Sequence, residues 1–393
     1  MPAYIPLSCA DISDQEIRAA TDALRSERLT LGSWTIQFEK AVAQHTQNNF
    51  GIATNSAHSA MHITLESLGI HEGDEIIVPA FSFHATAATI LQLGAIPVFA
   101  DCDPRTLNMN AGDVCAKITS KTKVIITSHV FGNPSGIDAI VCVAQEHEIP
   151  LIEDAGQAIG SSLHHRKVGT FGRVSIMAFH STAQLTCIEG GVIVTDDDAL
   201  AQQCKLRRNN GLASDPTMSN DEFGRVRTDE LMLSLGHGYR LSEVHAAVGV
   251  IQMRRLREIM QRREIVAQWY TQRLGGITDI TCPTIDNGVN MSWDGYVIRL
   301  IDRYSRKDRD EVIRGLHRHD IGAADFFQSI PTLPLFKRHG TEADACPIAA
   351  SISQRTIALP FYTKMTLREV EIVCQTLELM ISRSRFRETI HNE

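Results

Sequence analysis

A short apolar run ending in a carboxylate, Leu151-Ile-Glu-Asp154-Ala-Gly-Gln157, precedes a second apolar run, Val174 to Phe179, that opens into the polar loop His180-Ser-Thr-Ala183-Gln-Leu-Thr-Cys-Ile-Glu189-Gly-Gly191. The first run reads as a buried strand. An aspartate at the end of such a strand can pair with a ring nitrogen and keep it protonated, so that a pyridinium ring acts as an electron sink. An amine on the following loop would complete that chemistry by tethering a carbonyl compound as an imine. Ala183, 29 residues beyond Asp154, offers only a methyl group.

Other segments extend the pattern. Ile76-Ile-Val-Pro79-Ala-Phe-Ser-Phe83-His-Ala-Thr-Ala reads as a strand followed by an aromatic, and Gly236-His-Gly238-Tyr-Arg240-Leu-Ser-Glu243-Val-His-Ala-Ala247 leads into a long helical pattern. With Glu153-Asp154-Ala155-Gly156-Gln157-Ala158, Ala178-Phe-His-Ser-Thr-Ala183 and Glu189-Gly-Gly, these motifs resemble the DegT/StrS family of PLP-dependent nucleotide-sugar aminotransferases over nearly the whole chain. The family pattern is E-D-A-x-Q-x, then S-F-H-x-T-K, then E-G-G, then G-x-N-x-R-L-S-E-x-x-A-A. The resemblance implies an α/β, aspartate aminotransferase-like fold of type I. Residues 1–250 are expected to form a large domain with a mostly parallel sheet, and 251–393 a smaller α+β C-terminal domain with a linking helix. It also implies that Phe83 stacks on the cofactor ring and that Asp154 and Gln157 contact the ring nitrogen and ring oxygen.

Four departures from that pattern bear on function. Ala183 takes the place of the Schiff-base lysine, and Ala178 that of a phosphate-binding serine. Gly238 takes the place of an asparagine that in the family reaches the phosphate from the partner subunit. His58, after Ala57 at an expected helix N-terminus, stands where the family usually has threonine. Phosphate is held by backbone N–H groups, hydroxyls and a helix dipole acting together. The backbone cradle is expected to survive while three side-chain donors have changed.

The reading favoured by these joint changes is a naturally diverged, PLP-independent member acting on or binding a nucleotide-linked or amino sugar, with no cofactor expected. Two alternatives stay open. One is a PLP- and glutamate-dependent sugar aminotransferase with an engineered Lys→Ala at 183, which would still take PLP or PMP; the other is a non-catalytic pseudoenzyme partner. Classical transamination is not expected from this chain. Some members of the family carry histidine at the lysine position and catalyse a dehydration; here His180 lies three residues before Ala183, and an ordered loop histidine is the plainer reading. His58, at a helix N-terminus, is expected to stay neutral and either serve in acid–base chemistry with Asp154, His84 and His180 or fill the space of the phosphate.

The composition is compatible with all of this. At 393 residues and 43% hydrophobic content the chain can bury one large core and a smaller one. A formal charge of −8 gives no sign of a nucleic-acid or membrane partner, and the family implies a homodimer. The N-terminus lacks a signal-peptide pattern, and nine scattered cysteines without C-x-x-C spacing suit reduced thiols in the cytoplasm. Neither His58 with His62 nor His129 matches a compact ligand motif, so no metal is expected.

Strands are expected at Glu75–Val78, Pro97–Ala100, Val124–Ser128, Leu151–Glu153, Val174–Phe179, Val192–Val194 and Gly295–Ile301. Helices are expected at Ser59–Leu68, Thr86–Leu93, Asp138–His147 and Lys307–His319, with one from an N-cap at Ser242 toward Leu274. On that last helix Arg254, Arg255, Arg257, Arg262 and Arg263 read as a solvated face. The segments Gly132-Asn-Pro-Ser-Gly136 and Gly190-Gly191 read as turn and close-approach positions.

Overall fold

The computed structural model describes residues 4–213, 232–340 and 343–391. Its centre is a seven-stranded sheet built from β1 (Phe50–Thr54), β2 (Glu75–Pro79), β3 (Ile96–Ala100), β4 (Thr122–Ser128), β5 (Leu151–Asp154), β6 (Val174–Ala178) and β7 (Gly191–Thr195). The spatial order is β1-β7-β6-β5-β4-β2-β3. From β3 to β6 all neighbours are parallel, whereas β7 runs antiparallel to both β6 and β1. The expected parallel sheet is therefore present with one reversed strand, and β1 joins it unannounced, because Phe50-Gly-Ile-Ala-Thr carries only three apolar residues.

Strand periodicity explains why the sheet is covered on both faces. Successive side chains point to opposite sides. Ile76, Val78, Val124, Ile126, Ile152, Val174, Ile176 and Ile193 accordingly enter one buried core. Their neighbours Ile77, Ile125, Leu151, Met177, Val192 and Val194 enter another. The first core continues into the C-terminal part through Tyr270, Tyr296 and Leu359, where Ile280–Thr281, Tyr296–Leu300 and Thr356–Leu359 form a three-stranded antiparallel sheet.

The helices that matter for the site are α1 (Asp14–Leu24), α2 (Ser33–Thr46), α3 (Ala57–Ser67), α4 (Ala85–Gln92), α5 (Ala111–Ala116), α6 (Ile137–Glu146), α7 (Asp198–Arg208), α8 (Glu243–Leu274) and α9 (Arg306–Arg318). The Ser242 side chain caps α8 by accepting from the His245 N–H, and α8 ends at Leu274. Arg254, Arg257 and Arg262 on this helix are exposed. The solvated-face reading fails for the other two. Arg263 is 2% exposed and donates to the carbonyls of Trp293 (2.7 Å) and Asp294 (2.6 Å), while Arg255 pairs with Asp11 and Glu16, each at 2.8 Å. A charge run cannot reveal this, because the partners lie far away in sequence.

Candidate active site

The C-terminal ends of β2, β4, β5 and β6 lie side by side, and in open α/β sheets that edge is where ligands bind. Asp154, the last residue of β5, sits there. Its carboxylate accepts the Thr86 hydroxyl at 2.7 Å from the first turn of α4. Burial pushes the Asp154 carboxyl above the ordinary aspartate value, against the opposing pull of Thr86, the Gly156 N–H, His129 and Ser128. Gly156 is packed so closely that a Cβ would lie 2.9 Å from the Cβ of Ala178.

The ring end of a pyridine cofactor fits these residues. Phe83 is 54% exposed, with its ring 6.3 Å from that of Phe327 and 4.5 Å from that of His84. An exposed aromatic next to the C-terminal ends of the strands offers a stacking face. Gln157 accepts the Phe131 N–H on its Oε1 at 2.9 Å, which leaves the amide NH2 as the end available to a ligand.

The tether end does not fit. Ala183 is 7% exposed and bonds through its N–H to the His180 carbonyl at 3.1 Å. Three other lysines have partners of their own: Lys117 Nζ bonds to Phe99 O and Asp113, Lys167 Nζ to His45 O, and Lys364 Nζ to Ile12 O and Asp11. The loop itself is well held. The Gln184 side chain donates to Ile159 O and Ser292 Oγ, at 3.0 and 3.2 Å.

At the phosphate end the backbone cradle is present. Ser56 caps α3 by accepting from Ser59 N–H, leaving the amides of Ala57 and His58 without a partner inside the helix. Gly191 allows this packing, since a Cβ there would meet Ala57 N at 2.6 Å. The side chains contribute less. Ala178 carries no donor, and Gly238 pairs as backbone with Asn209. His58 is laid against α4, with Nε2 3.0 Å from Gln92 Oε1 and Nδ1 3.1 Å from Thr89 Oγ1.

Of the histidines expected to gather here, His180 bonds through Nδ1 to its own loop, at Thr182. His84 lies against Phe83. His129, which carried no expectation for this pocket, is buried with Nε2 3.0 Å from Glu153 Oε2. Two contributors were missed from sequence: Thr86 and Asp294. Thr86 had a local signal, its place one turn into a helix that follows Phe83. Asp294 had none. Its Oδ1 accepts the Gln184 N–H at 3.2 Å, and burial pushes its carboxyl up, opposed by Arg263, His180 and that N–H.

A mixed sheet of this order beside a small C-terminal three-stranded sheet defines a PLP-transferase-type fold. The chain belongs to the DegT/DnrJ/EryC1/StrS aminotransferase family, whose model matches residues 10–378. It is 29% identical to the uncharacterized protein MJ1066 of Methanocaldococcus jannaschii over 97% of this chain and 99% of that one. Among solved structures it is similar to Helicobacter pylori PseC, an aminotransferase involved in the biosynthesis of pseudoaminic acid, at 25% identity and TM-score 0.88, covering 97% and 100% of the two chains. It shares its fold with Spr1654 of Streptococcus pneumoniae in the PMP-form, at 24% identity and TM-score 0.91 over 97% and 100%. Among the described residues no helix is long and apolar enough to cross a membrane.

Proposed function

We propose that this family member cannot form a Schiff base and that it binds a nucleotide-linked or amino sugar in the cleft beside Asp154 and Phe83. In this reading it is a naturally diverged protein that works as a homodimer without covalently held PLP. The observation that carries the proposal is Ala183: a methyl group buried in a well-anchored loop, at the position where the motif order of the family requires an amine. The concurrent absence of side-chain donors at Ala178 and Gly238 supports divergence over a single engineered change.

PLP or PMP, when bound to relatives, supplies an electron sink for carbanion chemistry. In this chain Asp154 would face the ring nitrogen, Phe83 the ring face and Gln157 the ring oxygen, while the amides of Ala57 and His58 would face the phosphate. The residues themselves can do less than a transaminase but more than a passive scaffold. Asp154, raised by burial, holds or releases a proton at a carboxylate that the Thr86 hydroxyl orients. Phe83 and Phe327 would offer apolar ring faces to a sugar placed there.

Borohydride treatment after incubation with PLP, followed by peptide mass spectrometry, tests this reading. The expected result is no reduced adduct on the unaltered chain, and in Ala183→Lys an imine absorbance band with an adduct confined to residue 183. An adduct on another lysine of the unaltered chain would overturn it.

A further inference from the structure

Helix α3 carries His62 and Glu66 one turn apart on the same face. The segment ahead of α8 lays His237 and Tyr239 over that face. The rings of His62 and His237 are 4.9 Å apart, and His237 stacks on Tyr239 at 4.7 Å and 11°. His237 Nε2 lies 2.9 Å from Glu66 Oε2, and His62 Nδ1 lies 3.1 Å from the Tyr239 hydroxyl. One ligating atom from each of His62, Glu66 and His237 falls within 4.8 Å of the other two.

We propose that His62, Glu66 and His237 form a binding site for a divalent transition metal of the zinc type, one helical turn along α3 from His58. Two imidazoles and one carboxylate suit zinc and its neighbours, whereas magnesium and calcium require a shell of oxygens. Tetrahedral coordination with bonds of about 2.1 Å places donor atoms about 3.4 Å apart, so small side-chain rotations close the present spacing. The Tyr239 hydroxyl on His62 is the kind of outer hydrogen bond that fixes the orientation of a ligating imidazole. All three side chains are partly exposed, His237 at 31% and Glu66 at 21%, which gives an ion access and leaves a fourth position for water.

Arg207 opposes the ion, since its Nη1 is 3.6 Å from the same Glu66 oxygen. Two features temper that opposition. The contact is long for an ion pair, and the second carboxylate oxygen can keep the guanidinium while the first turns to the metal. Bound metal would staple the Gly236–Arg240 segment, including Gly238, onto α3. The site is therefore a structural clamp with one open coordination position.

The test uses the full chain stripped with EDTA and titrated with Co2+ and then Zn2+ alone. One equivalent of Co2+ should give visible ligand-field bands that Zn2+ removes, and Zn2+ should raise the melting temperature. His62→Ala with His237→Ala should abolish both effects, and Glu66→Gln should weaken affinity at least tenfold. Circular dichroism of the metal-free variants establishes that they fold. Zinc-edge anomalous scattering from crystals of the unaltered chain provides an independent reading if they do not. Absence of stoichiometric binding, unchanged binding in the double variant, or anomalous density at cysteines instead would overturn the proposal.

Discussion

The backbone N–H of Gln184 donates to Oδ1 of Asp294 across 3.2 Å, tying the residue next to Ala183 to a segment 110 positions away. Asp294 is in turn held by its backbone, with its N–H on Phe131 O at 3.0 Å and its carbonyl accepting from Arg263 at 2.6 Å. Asp294→Ala should leave those backbone bonds while removing both the loop anchor and the carboxylate that faces the buried Arg263 guanidinium. Loss of one such bond is worth about 1 kcal/mol. Hydrogen exchange at the Gln184 amide should accelerate roughly fivefold, while peptides from β5 keep their rates; an unchanged Gln184 rate would remove Asp294 from the site.

Asp154 gives a pH prediction with a definite sign. Its carboxyl is raised in the folded chain above the ordinary value of 3.8, with burial the leading cause. A raised acid stabilises the fold while protonated, below 3.8, and that contribution is lost as pH rises through the folded value. At neutral pH the buried charge is thus a cost to the fold. Asp154→Asn should make the ligand-free protein more stable near neutrality and leave it nearly unchanged in acid. Urea midpoints at the two pH values check this, and equal differences at both would contradict it.

The contrast between Asp154 and Asp294 indicates what a sequence can disclose here. Asp154 ends an apolar run, so a strand, its burial and its carboxylate at the sheet edge were all legible locally, as were the N-cap at Ser242 and the helix to Leu274. Asp294 lies in the short irregular link between strands Val289–Asn290 and Tyr296–Leu300, and its partners are Gln184, Phe131 and Arg263. Arg263 illustrates the same limit: among other arginines on a long helix it looks solvated, and only the carbonyls of Trp293 and Asp294 reveal otherwise. His62 and Glu66 are adjacent on one helix turn, yet His237 completes their cluster from 171 positions beyond Glu66.

Glu243, the first residue of α8, acts as the cap of a different helix. Gly32 starts α2 with no side chain of its own to offer, and Glu243 accepts the N–H groups of Gly32, Trp34 and Thr35 at 2.9, 2.8 and 3.0 Å. The Thr35 hydroxyl also donates to it. The carboxylate is buried, so these donors have no water to fall back on. Glu243→Ala should destabilise the protein by about 3 kcal/mol, read as a lower urea midpoint with fraying of α2 in hydrogen exchange. A change below about 1 kcal/mol would mean the cap is dispensable.

Glu153 supports the site from below and yields an acid dependence of the opposite sign to that of Asp154. Its Oε1 accepts from Phe171 N–H (2.7 Å), Gly172 N–H (2.9 Å) and Ser175 Oγ (2.7 Å), and its Oε2 faces Gly169 N–H and His129 Nε2, each at 3.0 Å. Burial acts to raise its pKa, but His129 and the backbone donors of Gly169 and Gly172 prevail and hold it below the ordinary 4.5. A depressed carboxylate contributes stability above 4.5 that is lost as pH falls through the lower, folded value. Glu153→Gln has the same shape but turns an NH2 toward at least two of these donors in either amide orientation. It should cost about 3 kcal/mol near neutrality, and its deficit against the unaltered chain should shrink as pH falls below 4.5. Urea unfolding from about pH 7 to about pH 3 measures that difference directly. A deficit independent of pH would assign Glu153 a packing role and remove the charge from the explanation.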